Sequence, residues 1–159
     1  MELYLLRHAA AENHSPTGRD ADRQLTQQGI ATLRRVLKQA HLAGLHPSLI
    51  LSSPYVRAIQ TAEIAQRLLK YEGEILRSHS LTPDSSPAEV WAEIRTHRQE
   101  SSILEVAHEP LLSATASWLL GSTRVAIEFI PAMMVRIDLA DFGAEPRGLL
   151  RRIFTWDRA

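Results

Sequence analysis

The chain has 159 residues, with 18 basic and 18 acidic side chains and therefore no formal net charge, and it contains no cysteine. That length suits one domain with a real core, the charge balance gives no reason to expect nucleic acid or an anionic membrane as partner, and the missing cysteines exclude disulfides, thiolate nucleophiles and cysteine zinc sites. No apolar run approaches the ~18 residues of a membrane span, and the first residues lack the basic start and apolar stretch of a signal peptide, so a monomeric cytoplasmic protein with one domain over residues 1–159 is the expectation.

Residues 3–6 (Leu-Tyr-Leu-Leu) form an almost continuous apolar run, as a strand buried on both faces does. Residues 9–24 are polar and carry Pro16 and Gly18, which reads as a long loop of the functional kind. Thr26 is a good N-cap, with Leu25 and Ile30 placed as a hydrophobic staple. Ile30, Leu33, Val36, Leu37 and Ala40 then follow at helical spacing, and Gly44 is the stop. Residues 49–51 are the second strand. Ser53 is read as the cap of the next helix, with Pro54 at its first position and an apolar stripe of Ile59, Ala62, Ala65, Leu68 and Leu69.

Residues 74–78 predict a third strand, and the turn-rich 82–85 follows. Ser86, Pro87 and Glu89 combine an N-cap, an N1 proline and a capping box, opening a helix expected to run to about Arg98. Residues 102–107 predict the next strand. Pro110 opens another helix and Gly121 closes it. Beyond Gly121, residues 124–129, 133–139 and 149–156 all read as strands with no helix between them. Strand and helix alternate in the first two thirds, so the expected fold is α/β: a three-layer α/β/α sandwich with a mainly parallel central sheet and antiparallel edge strands near the C-terminus.

Three strand-to-helix junctions carry unusual side chains: Arg7 and His8 after the first strand, Arg57 after the second, and His108 after residues 102–107. In an open α/β sheet the carboxyl ends of parallel strands lie along one edge, and ligands bind there. Two arginines and two histidines at that edge make a dianion pocket. Arginine donates bidentately to phosphate and stays charged. Arg57 also lies in the first turn of its helix, where the helix N-terminus favours an anion. His108 as an imidazolium can donate to a phosphoryl oxygen. A neutral His8 can attack phosphorus and form a covalent phosphohistidine, provided that a hydrogen bond to its other nitrogen orients the ring. Taken singly, each residue has an ordinary reading: a salt-bridge arginine or a partly buried histidine. The case rests on all of them falling at the same kind of junction. No His-x-x-x-His with a nearby carboxylate, no Gly-x-x-x-x-Gly-Lys and no Gly-x-Gly-x-x-Gly occurs, so neither metal nor nucleotide cofactor is expected. His14 in the long loop is a weak candidate for substrate contact, His41 and His46 flank a helix end where a cation suits the dipole, His79 and His97 read as ordinary surface positions, and Trp91, Trp118 and Trp156 read as core or core-edge residues.

Four motifs resemble those of the histidine phosphatase superfamily, which includes the cofactor-dependent phosphoglycerate mutases. Leu5-Leu6-Arg7-His8-Ala9 resembles its Arg-His-Gly signature, with Ala9 in place of the glycine. Leu25-Thr26-Gln27-Gln28-Gly29 resembles its LT-x-x-G helix start. Residues 51–62, from Leu51 through Arg57 to Ala62, resemble its second signature, and Val106-Ala107-His108-Glu109-Pro110 resembles the strand with its second histidine. The short length is most similar to the SixA branch of small phosphohistidine phosphatases. The resemblance implies that His8 is phosphorylated, that Arg7, Arg57 and His108 complete the phosphate pocket, and that no metal is needed. Larger members carry an acid after the third strand that protonates the leaving oxygen. Here that stretch is Leu81-Thr82-Pro83-Asp84, which leaves Asp84 as the stand-in general acid. A weak acid function hurts an alkoxide leaving group more than an imidazole that departs neutral. The expected substrate is therefore a protein carrying phosphohistidine, such as a phosphotransfer domain. A small phosphomonoester is the alternative with the same mechanism, and a non-catalytic phosphate-binding module is the alternative of another class.

Overall fold

The computed structural model describes residues 1–156. The strands are β1 (Glu2–Arg7), β2 (Leu49–Ser52), β3 (Ile75–Arg77), β4 (Ser102–Ala107), β5 (Met134–Leu139) and β6 (Gly148–Phe154), and the helices are α1 (Gln27–Leu42), α2 (Val56–Leu68), α3 (Pro87–Thr96) and α4 (Leu111–Leu119). The strands form one sheet in the order β3-β2-β4-β1-β5-β6. β1 to β4 run parallel, and β5 pairs antiparallel with both β1 and β6.

Each sheet face carries its own core. On one face Tyr4, Leu6, Ile50, Leu104 and Val106 meet Leu33, Val36 and Leu37 of α1 and Ala58, Ala62 and Ala65 of α2. On the other, Leu3, Leu5, Leu51 and Ile103 meet Val90, Trp91 and Ile94 of α3 and Leu111, Leu112 and Ala116 of α4. The alternation along β1 thus serves two helical layers at once, which is why its sequence reads as uniformly apolar.

Local signals set most boundaries. Thr26 Oγ1 accepts from the Gly29 amide at 2.9 Å and caps α1. At the other end Gly44, with φ +95°, lets the Leu45 amide reach the Ala40 carbonyl at 3.0 Å, the closing bond of a Schellman motif. The capping box of Ser86 and Glu89 is formed as the sequence predicts, although α3 stops at Thr96 rather than near Arg98.

Three readings are corrected. Residues 124–129 are not a strand. Ile127 and Phe129 are buried and Glu128 is exposed, which imitates strand alternation, but β5 takes the free edge of β1 and the segment crosses the sheet end without a pairing partner. Ser53 does not cap α2: that helix starts at Val56 after Tyr55 and has no side-chain cap, and Pro54 lies outside it. The buried stripe of α2 is also rotated, to Arg57, Ala58, Thr61, Ala62, Ile64 and Ala65. Arg57 and Thr61 are held inward by polar partners, and the small alanines let the helix approach the sheet closely.

Candidate active site

Neighbouring strands set the site. β2, β4 and β1 are adjacent, and the chain leaves their carboxyl ends at Ser53, His108 and His8. The helix after β1 packs on one face and the helix after β4 on the other. A switch point of this kind opens a crevice at the strand ends. The His8 and His108 rings flank it, with centroids 5.1 Å apart.

His8 is buried, and its Nδ1 lies 2.7 Å from the carbonyl oxygen of Ala9. Since a carbonyl only accepts, Nδ1 carries the proton and Nε2 keeps its lone pair. Arg57 Nε donates to that Nε2 at 3.2 Å. Burial, with the Arg57, Arg7 and Arg23 guanidinium groups, lowers the His8 pKa to about 4, although the Ala9 carbonyl opposes the shift. His108 is lowered further, to about 2, by burial and then by His8 and the same arginines. Both influences favour the neutral ring over the imidazolium through which the sequence reading has His108 donate. Its Nε2 lies 2.7 Å from Ser53 Oγ, and its Nδ1 is buried without a partner.

The two arginines are anchored on their outer sides. Arg7 Nη1 donates to the Phe129 carbonyl at 2.7 Å, which is the contribution of the crossing segment, while Arg7 Nε is buried and unpartnered. Arg57 Nη1 donates to the Asp20 carbonyl at 2.9 Å, and Nη2 pairs with the Asp20 carboxylate at 3.2 Å. Asp20 also pairs with Arg23 at 3.2 Å. Burial lowers both arginine pKa values, but a guanidinium remains charged at any ordinary pH. Buried donors beside a neutral nucleophilic nitrogen suit a tetrahedral dianion.

Several functional contacts escaped the sequence reading. Thr61 Oγ1 accepts from the Ala9 amide at 3.1 Å and donates to the Arg57 carbonyl at 2.7 Å, tying the nucleophile's turn to α2. Gln60 Oε1 accepts from the Leu25 amide at 2.8 Å and holds the end of the long loop. The Arg57-Gln60-Thr61 spacing thus places one guanidinium of the pocket and two braces on adjoining turns of one helix. Asp20 and Ser53 were also missed. Asp20 sits in a polar loop with no local signal of its partner, and Ser53 resembles any helix cap.

Asp84 is not brought to the four side chains. It is exposed, it accepts from the Thr82 hydroxyl at 2.8 Å, and that bond lowers its pKa. It lines an open cavity of about 450 Å³ together with Tyr55, His79 and Glu89. Tyr55 connects that cavity to the pocket: its ring meets His108 edge-on at 5.1 Å, and Arg57 lies over its face at 5.1 Å. Among the described residues no helix is long and apolar enough to cross a membrane.

Comparisons with known proteins agree with this geometry. The family model of the histidine phosphatase superfamily (branch 1) matches residues 3–78, a span that holds Arg7, His8 and Arg57. An uncharacterized protein of Picosynechococcus sp. is 32% identical over 117 residues, covering 73% of this chain and 71% of the relative. The solved structure of the protein histidine phosphatase SixA with tungstate superposes with a TM-score of 0.88 at 23% identity, covering 98% of this chain and 97% of that one. A candidate phosphohistidine phosphatase SixA from Agrobacterium tumefaciens gives 0.83 at 25% identity, covering 97% of both chains. The matched span supplies Arg7, His8 and Arg57 to the pocket, and with the 32%-identical relative it places the chain in the histidine phosphatase superfamily, with the SixA-like form of its fold.

Proposed function

We propose that this phosphatase removes the phosphoryl group from phosphohistidine on a protein, such as a phosphotransfer domain, through a covalent phospho-His8 intermediate. His8 Nε2 attacks phosphorus, while Arg7, Arg57 and His108 donate to the equatorial oxygens, where charge must be stabilised. The substrate imidazole leaves as a neutral ring when its second nitrogen carries a proton. Water then attacks phospho-His8. Phosphate departs, and His8 returns to the neutral form whose Nδ1–H bonds the Ala9 carbonyl. Splitting the displacement in two is the usual gain of nucleophilic catalysis.

One observation carries the substrate preference. Among the described residues no carboxyl hydrogen-bonds His8 or His108, and the one that bonds a phosphate ligand, Asp20, is shared between Arg57 and Arg23. Asp84 is engaged by Thr82 beyond Tyr55. A pocket in which no carboxyl bonds either histidine favours a leaving group that needs no proton at the moment of cleavage. The test is a panel of phosphorylated substrates assayed with EDTA present. We expect kcat/KM to be highest for a phosphohistidine-bearing protein or peptide. Faster turnover of sugar, nucleotide or serine phosphates would overturn the preference and favour a small-molecule phosphomonoesterase.

A further inference from the structure

The two histidines of the pocket are held by partners of opposite character. His8 Nδ1 faces a carbonyl, which only accepts. His108 Nε2 faces Ser53 Oγ at 2.7 Å, and a hydroxyl can donate or accept. The remaining bonds of Ser53 decide between the two. Its side chain is fully buried, and its Oγ already accepts from the Tyr55 amide at 3.3 Å. The hydroxyl has a single proton. Among the described residues, the one acceptor that contacts it is His108 Nε2. Were Nε2 protonated instead, the Ser53 proton would be buried with no acceptor, at the full desolvation penalty of an unmade hydrogen bond. The bare lone pair of Nδ1 would then face a pocket built for oxyanions, which also only accept. With the proton on Nδ1 the Ser53 bond is made, one buried group is left unpaired in place of two, and a bound oxyanion satisfies that one. That nitrogen is buried and without a partner, on a ring whose centroid lies 5.1 Å from that of His8.

We propose that Ser53 is a positioning residue: its hydroxyl donates to His108 Nε2 and holds the neutral ring in the Nδ1–H form, so that Nδ1–H is the group offered to a phosphoryl oxygen. Both catalytic rings are then the same tautomer used in opposite senses. The Ala9 carbonyl leaves His8 with an unprotonated Nε2 for attack, and the Ser53 hydroxyl leaves His108 with a donor for the oxygen. No imidazolium is needed for that donation, so it persists in a buried, cationic pocket that disfavours one. The inference rests on the phosphoryl-pocket reading above and specifies which nitrogen of its second histidine acts.

The test has an arm that does not depend on activity. Long-range proton–nitrogen correlation spectra of protein with 15N-labelled histidine identify the protonated nitrogen of each ring. At neutral pH we expect His108 protonated on Nδ1 and bare on Nε2; a proton on Nε2 would overturn the proposal. The second arm is a double-mutant cycle read as kcat on an aryl phosphate. His108→Ala should lose about 100-fold, as for removal of one charge-stabilising donor. Ser53→Ala should lose about 10-fold, as for the outer partner of a functional histidine. Adding Ser53→Ala to His108→Ala should cost nothing more, because Ser53 acts only through that ring. Losses that multiply would overturn the proposal. If the chain proved to have no phosphatase activity, the functional reading would fall and the labelled spectra would still decide this one.

Discussion

At the scale of single residues, His8 shows how burial and neighbouring charge keep an imidazole neutral. An ordinary histidine is half protonated near pH 6.5. Here burial and then the surrounding guanidinium groups lower that value to about 4, so the attacking nitrogen keeps its lone pair across the physiological range. A titration of the His8 ring by NMR should therefore show a midpoint near 4, and a midpoint near 6.5 would contradict the reading. The linkage to stability has a definite sign. A histidine whose pKa is lowered on folding contributes stability that is complete above the unfolded value of about 6.5 and is lost as pH falls toward the folded value. His8 and His108 both act in this direction, so acid should weaken the fold from about pH 6.5 downward. Arg7, His8, Arg57 and His108 were legible in the sequence because each follows an apolar run, where a buried strand must end. Ser53 was not, because its partner follows a strand adjacent in space but lies 55 positions away in the chain. That pairing needs the strand order.

At the scale of elements, the LT-x-x-G start of α1 is a joint as well as a cap. A Cβ on Gly29 would collide with the Ala10 carbonyl oxygen and crowd the Ala10 amide nitrogen at 3.0 Å. The Ala10 carbonyl also accepts from the Thr26 amide at 3.0 Å. The turn that orients His8 through Ala9 is thus pressed against the first turn of α1. Helix propensity alone favours alanine over glycine by about 1 kcal/mol, while overpacking against backbone costs about 1–3 kcal/mol. We expect Gly29→Ala to lower both the melting temperature and kcat. A variant stabilised by about 1 kcal/mol, as on an open helix surface, would show that the contact yields freely. The motif was readable as a helix start, but the reason for its glycine appears only with Ala10 in place. Residues 124–129 teach the converse: alternation reports one buried side of a segment, not a partner for its backbone.

At the scale of the whole molecule, the order β3-β2-β4-β1-β5-β6 inserts β4 between β2 and β1 and so brings the three functional junctions together. Sequence gave the parallel α/β class, since strand and helix alternate, but not this order, since no local signal says which strand lies between which. The same insertion buries Glu105 in the middle of the sheet. It is 1% exposed, its Oε2 has no partner, and burial, with the Glu93 charge, pushes its pKa well above the usual range. Burial favours the protonated carboxyl in the fold, whereas the unfolded chain ionises it from about 4.5 upward, so the fold loses stability as pH rises above about 4.5 toward the folded value. Glu105→Gln removes that dependence. Its melting temperature relative to wild type should rise between pH 5 and pH 8, and a difference independent of pH would show Glu105 to be ionised in the fold. The central claim is chemical: one buried imidazole, neutral and oriented by its neighbour's carbonyl, carries the phosphoryl group. Brief incubation with a phosphohistidine donor, an alkaline quench and mass-spectrometric mapping tests it directly. The account expects the label on His8 and none in His8→Ala; label on any other residue, or turnover retained in that variant, would contradict it.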